Sequence, residues 1–147
     1  MRRIRRILFA SDFSSASRPA FAKALEMARA LRAELVLTHA FAMMLPVDGM
    51  YMTAATWDAV ERDARAAAQK ELDRLQRAAR KAGVRATTVV VEGFAADQIV
   101  RAAKARRADF IVMGTHGRTG LSKMVMGSVA TRVIASAPCP VMTVRGK

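Results

Sequence analysis

The chain has 147 residues, the length of one ordinary domain, and 52% of them are apolar, so a core can be buried and bulk disorder is excluded. Lysine and arginine number 25 against 12 acids, a net charge of +13 that predicts attraction to something anionic and says nothing about fold. The longest uncharged run near mid-chain, Leu35–Val47, is too short for a membrane-spanning helix and contains Pro46, so no membrane association is expected.

The N-terminus, Met1-Arg2-Arg3-Ile4-Arg5-Arg6, imitates the start of a signal peptide. The apolar run behind it stops after Ile7–Ala10, however, so secretion is not expected. A lone cysteine, Cys139, excludes an internal disulfide and a cysteine-based zinc site, and a cytoplasmic setting follows as the default. Two prolines bracket it, and it reads as an inert buried thiol.

Two periodicities alternate along the chain. The first short apolar run, Ile7–Ala10, reads as a strand buried on both faces, as in a parallel sheet. A helix follows over about Pro19–Arg32, with Phe21, Leu25, Ala28 and Leu31 on one face. Leu35–His39 is the second strand, with His39 read as structural. Phe41–Thr56 has four methionines and no period, and reads as a long connection folded over the core or as an adaptable lid. A second helix spans about Trp57–Ala82, presenting Trp57, Val60, Ala64, Ala67, Leu72, Leu75 and Ala79. Gly83 stands where a helix C-cap belongs. Thr88–Val91 is a third strand and Ala95–Arg106 a third helix, carrying Ile99, Val100 and Ala103. Phe110–Met113 is a fourth strand. Ser128–Ala135 is a fourth helix with Val129, Val133 and Ile134, and Val141–Val144 is a fifth strand. Alternation of strand and helix throughout predicts one α/β domain over residues 1–147, a mostly parallel sheet with helices on both faces.

Open sheets of this kind bind ligands beyond the carboxyl ends of their strands. Asp12 follows the first strand, as a ligand or metal contact or as a plain turn residue. The fourth is followed by Gly114-Thr115-His116-Gly117-Arg118-Thr119-Gly120, and four of the chain's eight glycines lie between Gly114 and Gly127. Successive glycines let backbone N–H groups turn toward one anion. Gly127-Ser128 opens the fourth helix, where Ser128 is placed to cap it and the free N–H groups carry partial positive charge. No Asp or Glu occurs from Phe110 to Lys147, while Arg118 and Lys123 are candidates to meet a phosphate. Neither a G-x-x-x-x-G-K-[ST] loop nor a G-x-G-x-x-G turn after the first strand is present. A P-loop nucleotidase and a dinucleotide-dependent oxidoreductase are thereby excluded.

Gly114-x-x-Gly117, nine residues, then Gly127-Ser128 resembles the G-2x-G-9x-G-[ST] signature of the ATP-binding branch of the universal stress protein family. The likeness extends over the chain, through Ile7–Ser14, Leu37–Ala40, Ile111–Gly117 and Pro138–Val141. It implies a five-stranded sheet of order 3-2-1-4-5 and an ATP site across strands one and four. Carried over by position, Ala10, Asp12 and Ala40 surround the adenine and ribose side. Met113, Gly114, Gly117, Gly127, Ser128 and Val129 hold ribose and phosphates, with Arg118 as a further phosphate contact. Asp12 helps hold Mg²⁺ or Mn²⁺ beside the phosphates. Ala10 and Ala40 depart from the commoner Pro and Val, which loosens adenine packing without removing the site.

The resemblance implies a stress-response regulatory or signalling protein whose nucleotide occupancy biases conformation or the binding of an unidentified protein partner. No catalytic residue is assigned, because no general base stands beside the phosphate loop, and hydrolysis is expected to be slow at most. The alternative is an ATPase or phosphotransferase using Asp12, a metal and His116. A basic nucleic-acid-binding module is a third reading. Aromatic residues are only 5% of the chain and the charge is scattered, so no specific nucleic-acid partner is expected. In the implied strand order Val141–Val144 is a sheet edge, apolar on both faces, and predicts a homodimer.

Overall fold

A computed structural model describes residues 2–43, 52–116 and 125–146. Gly117, Arg118, Lys123 and residues 44–51 of the methionine-rich segment lie outside the described residues. The strands are β1 (Arg6–Ala10), β2 (Glu34–Phe41), β3 (Ala86–Glu92), β4 (Phe110–Gly114) and β5 (Val141–Val144). The helices are α1 (Arg18–Leu31), α2 (Ala54–Lys81), α3 (Ala95–Ala105) and α4 (Ser128–Ser136), with a single 3₁₀ turn, Ser15–Ser17, before α1. All strand pairings are parallel, in the order β3-β2-β1-β4-β5. This is the single-domain α/β architecture and strand order that the resemblance implies.

β1 lies at the centre, and residues 7–10 are buried. Alternate residues face opposite layers. Ile7 and Phe9 point into a core shared with α1 and α2, and Leu8 and Ala10 into one shared with α3 and α4. Burial on both faces is why these strands read as continuous apolar runs.

The helices meet the sheet through smaller residues than the apolar periodicity indicates. α1 buries Ala20, Ala24 and Ala28. Phe21 and Leu25 are half-buried on its shoulder, and Leu31 is exposed. Alanines at the line of closest approach let the helix axis come near the strands, and larger side chains then fill the flanks, as Phe21 does against Phe9 (ring centroids 5.4 Å apart). α2 buries Ala68, Leu72 and Ala79 but leaves Val60 and Ala67 exposed. In α4 the buried pair is Ala130 and Val133, and Val129 and Ile134 are exposed.

α2 starts earlier than its apolar pattern, because Thr53 caps it by accepting the Thr56 N–H (3.1 Å). It ends in a Schellman turn. The Val84 N–H reaches the Ala79 carbonyl and the Gly83 N–H that of Arg80, with Gly83 at φ +78°. α1 and α3 close with the same bond pattern, yet arginines occupy the left-handed position, Arg32 at φ +53° and Arg107 at +52°. Each gives up about 1 kcal/mol relative to a residue without a Cβ.

The two sheet edges differ. On β3, Arg65 of α2 donates to the Val90 carbonyl (3.2 Å) and Gln76 to that of Ala86 (2.7 Å), so side chains cover this edge. β5 is bonded to β4 on one side, and among the described residues no strand lies on its other side.

The strand starts are tied by Asp109. Its Oδ2 accepts the backbone N–H groups of Arg5 (2.8 Å) and Arg6 (3.0 Å), and its own N–H donates to the Arg6 carbonyl (2.9 Å). The Arg5 bond, opposed by partial desolvation and aided by the Arg6 bond and nearby Arg2 and Arg6 charges, holds its carboxyl below the ordinary range. A depressed folded pKa gives stability that is present above the unfolded value and lost as pH falls through the folded one. Asp109→Asn is therefore expected to cost about 1 kcal/mol near neutrality, the difference between charged and neutral acceptors. The gap between the two denaturation midpoints should close as pH falls below the ordinary aspartate value of about 3.9. A gap independent of pH would show that the charge contributes nothing.

Candidate functional site

The chain leaves β1 for α1, which leads to β2 on one side, while β4 pairs on the other side. Connections diverge at such a switch point and leave a crevice at the carboxyl ends. A cleft of about 320 Å³ lies there.

The cleft's walls come from separate elements. β1 and the following turn supply Ala10, Ser11 and Asp12, and β2 supplies Thr38 and Ala40. β4 and the residues after it bring Met113, Gly114, Thr115 and His116. Opposite stand Gly127, Ser128, Val129 and Ala130 at the start of α4. Eight of the ten residues expected to contact nucleotide therefore line one cleft. The other two are Gly117 and Arg118.

Ala10 sits in register with Thr38 on one side and Met113 on the other, so a short side chain stands at the middle of the floor. Substitution of a larger residue at Ala10 would narrow it. The turn beyond is held by short-range bonds. The Asp12 carboxylate accepts from the Ser14 N–H (2.9 Å) and hydroxyl (2.6 Å), and Ser11 Oγ accepts the Phe13 N–H (3.0 Å). Phe13 is left-handed at φ +62° and stacks on His39 (centroids 4.3 Å apart). The Ser11 carbonyl can only accept, so His39 donates to it from Nδ1 (2.8 Å). These bonds fix where Asp12 stands, and they give His39 a structural task.

His116 is engaged at both ring nitrogens. Nε2 faces the Val125 carbonyl, which requires a proton on Nε2, and Nδ1 then accepts from the Thr115 hydroxyl (2.9 Å) in the neutral ring. Both ring nitrogens therefore already have partners within the protein. Among the described residues no group of three or more His, Cys, Asp or Glu side chains could hold a metal. Asp12 alone offers a carboxylate in the cleft. That donor set fits Mg²⁺ only as an ion completed by phosphate oxygens and water.

Two expectations need correction. Ser128 does not cap α4: it is the first helical residue, and the cap position is Gly127, which has no side chain to accept from the first turn. Nor is the Gly127 N–H free for an anion, since it donates to the Thr115 carbonyl (2.7 Å). The amides left facing the cleft are those of the first turn, from Ser128 onward. Cys139 is half-buried, and desolvation, then the Asp109 charge, raises its pKa and keeps the thiol protonated.

Sequence reasoning missed Ser11, Ser17, Thr38, Thr115, Ala95, Ile99 and Ala130, which also line the cleft. Ser11 and Thr115 were readable, because each directly follows a strand. Ala95 and Ile99 carry no such signal, since only the docking of α3 brings them there.

An open parallel α/β sheet of order β3-β2-β1-β4-β5, with a cleft at its switch point between the ends of β1 and β4 and the start of α4, defines the structural class to which this chain belongs. The chain belongs to the universal stress protein family, whose sequence profile matches residues 3–145. It is similar to a universal stress protein of Methanocaldococcus jannaschii, 33% identical over 145 residues that cover 96% of this chain and 82% of that one. A universal stress protein structure from Lactobacillus plantarum superposes with a TM-score of 0.81 at 27% identity, covering 99% and 100% of the two chains. The universal stress protein of Archaeoglobus fulgidus, solved in complex with dAMP, matches with a TM-score of 0.66 at 25% identity, covering 98% and 100%.

The two site glycines differ in what they require. A Cβ on Gly127 would stand 2.9 Å from the Thr115 carbonyl oxygen, which is backbone, whereas one on Gly114 would meet nothing closer than 3.5 Å. Gly127→Ala is expected to lower stability by about 1–3 kcal/mol in urea denaturation, as overpacking does. Gly114→Ala should change it by no more than about 0.5 kcal/mol. Equal losses would mean that the Thr115–Gly127 contact is not what holds α4 in place.

Proposed function

We propose that residues 1–147 form a nucleotide-binding domain and that the cleft takes an adenine nucleotide, with ATP and Mg²⁺ or Mn²⁺ as the full ligand. The observation that carries this reading is the meeting of Ala10, Asp12, Ala40 and Met113 with the start of α4, whose cap position is a glycine, in one cleft. Base and ribose lie over Ala10, Ala40 and Met113. The phosphates reach Gly114 and the N–H groups of Ser128 and Val129, Gly117 and Arg118 are further phosphate contacts by resemblance, and Asp12 shares the metal. The dAMP bound by the Archaeoglobus fulgidus relative supports the adenine side of this assignment.

The protein acts as a stress-response regulator in the cytoplasm, and the bound nucleotide biases which partner it engages. Hydrolysis is slow, consistent with both His116 nitrogens being engaged. A ligand at about 100 times its dissociation constant adds about 2.7 kcal/mol to the native state. ATP with Mg²⁺ should therefore raise the melting temperature of nucleotide-free protein by about 5–10 °C. Asp12→Ala should remove the dependence on Mg²⁺ and leave the shift produced by AMP. No shift with any adenine nucleotide, in protein shown by mass spectrometry to carry none, overturns the reading.

A homodimer through β5 is part of the same proposal. The β3 edge has its carbonyls bonded by α2, while Val141–Val144 is a half-buried apolar edge open to a second copy around a two-fold axis. Light scattering at micromolar concentration should return twice the chain mass, and Thr143→Pro, which removes an N–H facing away from β4, should return the monomer. A wild-type monomer in moderate salt counts against it.

A further inference from the structure

The opposite end of the sheet holds a second concavity, of about 460 Å³, where the strands begin. Arg2, Arg3 and Arg5 line it from the N-terminus, Arg85 from the start of β3 and Arg107 from the turn after α3. Adjoining hollows extend it past Arg106 on one side and Arg80 on the other. Two acids share this surface, and both are already committed. Asp109 holds the backbone of Arg5 and Arg6, and Glu34 pairs with Arg6 (3.5 Å) and accepts from Thr87 (3.3 Å). Arg6 itself donates to the Arg106 carbonyl (3.0 Å). The ion pairs of the described residues engage none of Arg2, Arg3, Arg5, Arg85 and Arg107.

Stability does not explain this cluster. Cations at helix C-termini offset the helix dipole, which accounts for Arg29, Arg80, Lys81 and Lys104 in the last turns of their helices. Arg2, Arg3, Arg5 and Arg85 lie in no helix, and exposed like charges gathered in one hollow repel each other. Guanidinium forks pair bidentately with phosphate, and five unpaired ones exceed what one phosphate group can engage. The lining has no aromatic side chain on which a base could stack, which disfavours single-stranded nucleic acid. It also has no apolar side chain to enter a bilayer, which disfavours a lipid surface.

We propose that this arginine hollow is a second ligand site, separate from the nucleotide cleft, for a soluble oligophosphate: several linked phosphate groups without a recognised base. The probe is inorganic tripolyphosphate, titrated by calorimetry at fixed ionic strength and followed by amide chemical shifts. The expected shifts fall on residues 2–6, 85–86 and 106–109, at the strand starts. Arg85→Gln with Arg107→Gln should weaken binding by about tenfold or more, the loss of at least one charge-assisted bond. The charge-matched pair Arg62→Gln and Arg77→Gln, on exposed positions of α2, should change it by less than about twofold. Circular dichroism confirms that each variant is folded. Equal weakening by both pairs would reduce the effect to net charge and overturn the proposal. So would shifts confined to residues 12–14 and 127–130, which would place tripolyphosphate in the nucleotide cleft. Tighter binding of a single-stranded oligonucleotide or of phosphatidylserine vesicles, with shifts on the same arginines, assigns the hollow to a macromolecule or membrane and overturns it as well.

Discussion

Parallel pairing of β1 with β2 on one side and β4 on the other is the constraint on which the rest depends. A parallel neighbour cannot be reached by a tight turn, so every strand needs a helical crossover, and the crossovers cover both faces of the sheet. Once both faces are covered, the strands must be apolar throughout, and Leu8, Phe9, Leu37 and Val112 are fully or almost fully buried. The divergence of chain at β1 opens a crevice that no local sequence feature could create. The cleft beside Ala10 and the arginine hollow below Arg6 are consequences of one strand direction: all carboxyl ends lie at one end of the sheet and all amino ends at the other.

That polarity also sorts charge. At the carboxyl ends, the start of α4 presents N–H groups, and the segment from Phe110 onward has no acid to oppose an anion. Helix C-termini and strand starts gather at the amino ends, where arginines outnumber acids by far more than helix dipoles require. The two ends therefore carry different positive groups: one presents the first-turn N–H groups of α4 beside Ala10 and Ala40, the other a group of exposed arginine side chains. A net charge of +13 is thus not spread evenly as solvating charge, although Arg65, Arg74 and Arg132 do serve as ordinary surface partners of nearby acids.

Much of the site was readable because its residues sit where chain polarity says ligands bind. Ala10, Asp12, Ala40, Met113 and Gly114 each end or follow a strand, and Gly127-Ser128 opens a helix. The errors came from hydrogen bonding. Gly127 gives its N–H to Thr115 and occupies the cap position that had been given to Ser128. Such a bond depends on where the end of β4 lies relative to α4, which spacing along the chain does not encode. Likewise the apolar faces of α1 and α2 were read to include Ala28, Leu72 and Ala79, which are buried, but also Leu31, Val60 and Ala67, which are exposed, whereas close approach to a covered sheet adds Ala20, Ala24 and Ala68 to the contact line.

The sequence by itself determined the element order, the parallel α/β class and the strand runs, because burial on both faces leaves a continuous apolar signature that needs no neighbours to be seen. It also determined the end of the long α2, through Gly83, because that cap is local, while the start at Thr53, ahead of Trp57 where the apolar pattern begins, was not read from it. Only the tertiary structure decided that Arg2, Arg3 and Arg5 share a hollow with Arg85 and Arg107, roughly 80 to 100 positions away. Only it decided that Ile99 lines the cleft at the carboxyl ends and that α2 covers the β3 edge while no described strand lies beyond β5. These are meetings between elements distant in sequence, set by which strand pairs with which, and no spacing within a single segment carries that information.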